Sequence, residues 1–126
     1  MQATDIKLNI ATKNITVTFD TGDMFSYPAE FLRVYSPSAE VRGHSMEPPK
    51  LIYGRKKVGI IALKAIGNYA IKINFDDLHD TGIYSWDYLY DLGVNYEAYW
   101  DMYVKRLKAD NKTREPKSSP IKNTKE

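Results

Sequence analysis

Two segments of this chain echo one another, and any fold it adopts has to place both. Ile15-Thr-Val-Thr-Phe19-Asp20 returns as Ile71-Lys-Ile-Asn-Phe75-Asp76, and Tyr27-Pro-Ala-Glu-Phe-Leu32 returns as Tyr84-Ser-Trp-Asp-Tyr-Leu89. The second unit is one residue longer between its Phe and its Tyr. In each unit β-branched or aliphatic residues alternate with polar ones, the period of a half-buried strand. A polar turn follows, then a short return strand and a helix start with an aromatic-Leu pair. The repeat predicts two strand–turn–strand–helix units whose helices dock on sheet in similar ways.

The second unit is the more heavily marked. Asp76, Asp77 and Asp80 favour turns because their carboxylates bond nearby backbone N–H groups, and Gly82 permits backbone angles closed to other residues. His79, one of two histidines, falls at the tip. Ser85 is placed to cap a helix beginning at Trp86, with Gly93 as its C-cap. In the first unit Pro28 suits the opening of a helix carrying Phe31, Leu32 and Tyr35, with Glu30 in its first turn favouring the positive end of the dipole.

Elsewhere, Ile6, Leu8 and Ile10 predict a strand before the first unit, and Val58 to Ile66 one before the second, with Gly67-Asn68 as a hairpin turn. Between Pro37 and Val58 no period holds, and prolines and glycines punctuate a long irregular loop. Arg55-Lys56-Lys57 at its end reads as the start of a solvated strand rather than an anion site. Asn95 is placed to cap a final helix, in which Tyr96, Tyr99, Trp100, Tyr103, Val104 and Leu107 form one apolar stripe. Beyond it the composition turns to Lys, Ser, Pro, Thr and Glu. The expected organisation is one α+β domain over residues 1–108, an antiparallel sheet with helices packed on one face or end, and a disordered tail over 109–126.

Composition limits the functions open to it. The net charge is +2, and residues 110–126 carry all of it, so the body lacks the clustered Lys and Arg of a nucleic-acid surface. There is no cysteine, which excludes disulfides, thiolate metal sites and Cys nucleophiles. No apolar run approaches a membrane span, and residues 1–15 lack the apolar centre of a signal peptide, so a cytoplasmic protein that binds no membrane is expected.

Leu32-Arg-Val-Tyr-Ser-Pro-Ser-Ala-Glu-Val-Arg-Gly-His44, Ile66-Gly-Asn-Tyr-Ala70 and Phe75 to Leu89 together resemble the gamma-butyrobetaine hydroxylase-like N-terminal domain, formerly a domain of unknown function. The resemblance runs from about Ile6 to Leu107, and its most specific part is His79-Asp-Thr-Gly-Ile-Tyr-Ser-Trp86. It implies a free-standing bacterial domain of a kind also found ahead of the catalytic domain of iron(II)/2-oxoglutarate oxygenases and joined to iron–sulfur carrier proteins. As an add-on, such a domain is a docking or dimerising module. In the eukaryotic oxygenases it holds a structural zinc through three cysteines and a histidine. Those positions fall here on Ser36, Ser38, Val41 and His79, so three of the four ligands are missing.

Several candidate sites follow. Glu40, Arg42 and His44 form a charged trio in the long loop that could clasp a partner's carboxylate or backbone, or fix the loop by an internal salt bridge. His79 could bind iron or zinc with His44 and a turn aspartate, or be a turn histidine bonded to its neighbours. No oxygenase triad is present, because His79 is followed directly by Asp80 and His44-Ser-Met-Glu47 misses the spacing by one residue. Trp86 and nearby rings could hold a quaternary ammonium such as a betaine. The expectation is a non-catalytic accessory or protein-interaction module without a cofactor, binding a protein partner or pairing with itself. The alternative is a metal-linked protein, binding iron or zinc or serving iron–sulfur carriers.

Overall fold

A computed structural model describes residues 1–38 and 50–116 of the chain. Among the described residues nine elements follow in order: β1 Ala3–Asn9, β2 Asn14–Phe19, β3 Met24–Pro28, α1 Ala29–Val34, β4 Ile60–Ile66, β5 Ala70–Phe75, β6 Ile83–Ser85, α2 Trp86–Val94 and α3 Tyr96–Ala109. The α+β architecture stands. Each unit builds its own three-stranded antiparallel sheet, β1-β2-β3 and β4-β5-β6, instead of sharing one.

The repeat goes deeper than the sequence match, because it includes the first strand of each unit. Ile6 pairs with Val17 and Leu8 with Ile15 in one sheet, while Leu63 pairs with Ile73 and Ala65 with Ile71 in the other. Both first strands slip register at the same place, between Ala3 and Asp5 and between Ile60 and Ala62. Ile15 and Val17 match Ile71 and Ile73, all buried in one core that both sheets share with Leu32, Leu89 and Leu92. Period-2 alternation puts these side chains on one face of each sheet, and burying them drives the two sheets onto a common interior.

The two turns also match. Phe19 N–H donates to Asp23 O at 2.9 Å and Gly22 N–H to Phe19 O at 2.9 Å; Phe75 N–H donates to His79 O at 3.0 Å and Leu78 N–H to Phe75 O at 3.2 Å. The third residue after each phenylalanine lies in the left-handed region, Gly22 at φ 93° and Leu78 at φ 73°. The special backbone of the second turn therefore belongs to Leu78, not to Gly82 as the glycine suggested.

Helix ends depart from expectation in instructive ways. Ser85 caps α2, its Oγ accepting from Tyr88 N–H at 3.1 Å. Gly93 lies inside α2 rather than capping it, and a Cβ there would stand 2.5 Å from the Phe25 ring. Asn95 sits between α2 and α3, but its side chain turns back to the carbonyl and carboxylate of Asp91 at the end of α2 and gives α3 no side-chain cap. At the far end of α3, Asn111 takes φ 59° and Lys112 N–H reaches Leu107 O at 2.9 Å, which closes the helix and turns the chain back on itself.

Candidate functional site

The segment after α1 and the turn after β5 meet. His79 is buried, and its Nε2 lies 2.9 Å from Ser36 Oγ. Ser36 is fully buried and its oxygen also accepts the Ser38 N–H at 3.3 Å. Ser38 Oγ in turn lies 2.7 Å from Thr81 Oγ1. Gly82 makes this approach feasible, since a Cβ there would stand 2.4 Å from Ser36 Oγ. His79 is thus not the tip of its turn; Leu78, 87% exposed, is. The Ser36–His79 spacing suits a nucleophile and its base, but with the hydroxyl enclosed and shared the pair ties two chain segments together.

Asp77 is the electrostatic centre of the same turn. Its Oδ2 takes Arg33 Nε at 2.8 Å and lies 2.8 Å from Arg55 Nε, and its Oδ1 accepts the His79 N–H at 3.2 Å. The Arg33 bond is aligned, whereas the Arg55 nitrogen approaches off-angle and acts as a charge contact. Burial works to raise the Asp77 carboxyl, but the Arg33 hydrogen bond and charge, the His79 N–H and the Arg55 charge outweigh it and hold the group below the ordinary aspartate value. Arg33 is almost wholly buried, so this pair is a fixed part of the turn. Composition gave no hint of it, and Arg55 read as part of a solvated cluster.

A third set of contacts corrects the expected tail boundary. Glu30 is buried and grips Arg114 with both oxygens, at 2.8 Å to Nε and 2.7 Å to Nη2. Gly54 N–H donates to Thr113 O at 3.0 Å and Lys56 N–H to Arg114 O at 2.9 Å, while Lys56 Nζ meets Glu115 at 2.9 Å. Arg114 also lies over the Trp100 ring and Lys112 over Tyr53. Residues 110–116 are therefore strapped along segment 53–56, where a disordered tail from 109 was expected. A polar stretch needs no core of its own when backbone bonds and one buried acid hold it.

Beside the Asp77 turn lies a surface pocket of about 210 Å³, with Val58, Gly54 and Pro116 as apolar lining and Arg55, Lys57 and Asp76 among its charged residues. Trp86 stands elsewhere. Its indole N–H donates to Asn68 O at 2.8 Å, and among the described residues no second ring pairs with it. One set of rings gathers around α1 and α3, where Phe31, Tyr35, Tyr96, Tyr99, Trp100 and Tyr103 meet tilted or edge-on except for the stacked pair Tyr35–Tyr99, and a second set joins Phe19, Phe25, Tyr27 and Tyr90. Glu40, Arg42 and His44 lie outside the described residues, so the charged trio and the His44–His79 pairing have no geometry to report.

The metal positions implied by the resemblance can be tested on three of their four members. Ser36, Ser38 and His79 do come together. Their donors are two neutral hydroxyls already engaged with His79, Thr81 and a backbone N–H, and one imidazole nitrogen turned onto a hydroxyl. Zinc takes deprotonated thiolates, imidazoles or carboxylates, so this set does not fit it. Among the described residues no three His, Cys, Asp or Glu side chains converge on one point. No helix among them is long and apolar enough to cross a membrane.

The model of the family described as gamma-butyrobetaine hydroxylase-like, N-terminal, matches residues 6–90, and the chain belongs to this family. Two protein structures determined by NMR in solution resemble it over nearly their whole lengths. One is 42% identical with a TM-score of 0.81, covering 96% of this chain and 95% of its own. The other is 44% identical with a TM-score of 0.79, covering 98% and 92%. A crystal structure of a protein of unknown function from Acidithiobacillus ferrooxidans ATCC 23270, of the DUF971 family, is 27% identical with a TM-score of 0.62, covering 73% of this chain and 92% of its own. No curated protein matches the chain.

Proposed function

We propose that this chain is a non-catalytic accessory module that binds protein through the turn 76–82 and the adjoining segment 54–58. The observation that carries this reading is the division of labour within the turn. Asp77 and His79, the residues with chemical capacity, are locked by Arg33, Arg55 and Ser36. The one large apolar side chain between them, Leu78, is held out into solvent. Rigid presentation of an apolar side chain suits recognition, since a contact residue already fixed in place loses little freedom on binding. Membership of a family whose model is that of a hydroxylase-like N-terminal region supports an accessory role.

The test is affinity purification of the tagged full chain from native extract, with wild type, Leu78→Asp and Lys57→Glu compared. The expected result is at least one protein chain, including untagged copies of this one, retained by wild type and lost from both variants. Retention of the same chains by all three baits, or of none by wild type, would remove the turn as a contact surface.

A further inference from the structure

Residues 112–114 lie on the rest of the molecule as a bound peptide lies on its receptor. Gly54 N–H donates to Thr113 O at 3.0 Å and Lys56 N–H to Arg114 O at 2.9 Å, the way an extended peptide joins a strand edge. Lys112 and Arg114, on either side of Thr113, each meet an aromatic ring. Lys112 Nζ stands 4.8 Å from the centre of the Tyr53 ring, and the Arg114 guanidinium carbon 5.1 Å from that of Trp100. At such distances a cation is attracted by the negative face of the ring.

The arginine position is the most completely built. Glu30 of α1 holds the guanidinium fork with two bonds, at 2.8 and 2.7 Å, while Trp100 of α3 lies against it. A carboxylate fork combined with an indole suits a planar guanidinium, whereas a lysine ammonium is a point charge and cannot fill both. The Glu30 side chain is 7% exposed and that of Arg114 39%, so the slot has a buried acid at its floor and a mouth open to solvent. A buried ion pair adds little stability over apolar side chains of the same volume; it is better suited to specifying its partner. Trp100 and the strap lie beyond residues 6–90, so the slot is not contained in the region the family model matches.

We infer that segment 53–56, with Glu30 and Trp100, is a binding site for an extended basic segment of another protein, of the pattern Lys-x-Arg, and that residues 112–114 occupy it as a tethered stand-in. An incoming segment displaces the strap by taking the same backbone donors, the Tyr53 ring and the Glu30–Trp100 slot. The strap sets a threshold, because a ligand has to outcompete a segment held at high local concentration. The site makes no use of Leu78 and stands whether or not the turn 76–82 binds protein.

The probe is the capped peptide Asn-Lys-Thr-Arg-Glu, the chain's own residues 111–115, titrated into isotope-labelled full chain. NMR follows the Trp100 indole N–H and the Gly54 and Lys56 amides. In Arg114→Ala, with the slot vacated, these signals are expected to shift together and saturate with a Kd on the order of 1 mM. Wild type is expected to bind at least about tenfold more weakly, because its tethered strap competes. Lysine in place of the peptide's arginine is expected to weaken binding to Arg114→Ala about tenfold, and adding Glu30→Gln to abolish it. The same spectra verify that each variant is folded. If Arg114→Ala is not, Arg114→Lys replaces it, keeping a cation on the strap without the fork. A folded, vacated chain whose signals do not move at about 10 mM peptide overturns the inference. So do equal affinities for wild type and the vacated chain, or for the arginine and lysine peptides. Leu78→Asp in the vacated chain is expected to leave peptide binding unchanged; a loss there places the peptide on the turn 76–82 and overturns this site.

Discussion

Tyr27 and Tyr84, equivalent residues of the two units, exchange hydrogen bonds across the molecule. The Tyr27 hydroxyl donates to Leu89 O at 2.7 Å, and the Tyr84 hydroxyl donates to Leu32 O at 2.5 Å. Each acceptor is the equivalent of the other, in the helix of the opposite unit. Both phenols are fully buried, so each unit supplies the donor that the other unit's helix carbonyl uses.

Removing either hydroxyl leaves a buried carbonyl short of its donor. Tyr84→Phe and Tyr27→Phe should each cost about 1–3 kcal/mol, read as a shift in the urea midpoint at constant slope. A loss below about 0.5 kcal/mol for both, the size of an ordinary surface change, would show that the exchange contributes little.

The same phenols set the alkaline limit. Burial pushes Tyr27 and Tyr84 well above the ordinary tyrosine value, while the unfolded chain titrates near pH 10. Their contribution is present in full below about pH 10 and is lost as pH rises from there through the folded values. Stability should fall steeply on that limb, and less steeply in the double Tyr→Phe variant, as followed by denaturant midpoints across alkaline pH.

Asp77 controls the acid side of the turn. Its folded value is depressed, so its contribution is present above about pH 4 and is lost as pH falls through the folded value. Asp77→Asn should remove that part of the acid dependence. It should also destabilise the protein at neutral pH by on the order of 3 kcal/mol, because the Arg33 charge is left buried without its carboxylate. Neutral-pH stability equal to wild type would show that Arg33 finds another acceptor.

The two left-handed turn positions make a reciprocal pair of substitutions. Leu78→Gly should stabilise the chain by up to about 1 kcal/mol, the relief of strain exceeding the extra freedom of glycine when unfolded. Gly22→Leu should cost about 1–2 kcal/mol. Thermal unfolding of the two variants decides it, and a Leu78→Gly protein less stable than wild type would mean that the leucine serves the fold.

The strap over residues 110–116 is tested by Arg114→Ala. Glu30 would then be a buried carboxylate without a partner, at a cost of about 1–2 kcal/mol after allowing for the partial exposure of Arg114. Trypsin should cut after Lys112 much faster than in wild type. Unchanged cleavage would return this stretch to the status of a loose tail.

Much of the fold was legible because it rests on local periodicity. The alternation at Ile15–Phe19 and Ile71–Phe75 and the serine before Trp86 name strands and a helix start without reference to the rest of the chain. The site was less so, because its determinants are long-range. Nothing near Arg33 in sequence announces Asp77, and nothing near Glu30 announces Arg114; those pairings exist only once the repeat has brought α1 beside the second turn. Gly82 and Gly93 misled for a related reason. Both are glycines for want of room beside Ser36 and Phe25, and sequence does not distinguish a crowded glycine from a twisted one. The alignment of Ser36, Ser38 and His79 correctly brought three residues together, although their hydroxyls and imidazole satisfy one another.

The crossed tyrosine bonds make each half an incomplete molecule. A fragment ending before β4 would carry a phenol with nothing to donate to and a carbonyl with nothing to receive, and the remaining fragment would carry the matching deficits. Cut in the connecting segment and mixed, the two pieces are built to recombine, so the chain offers a natural split pair whose reassembly could report on anything that brings the fragments together.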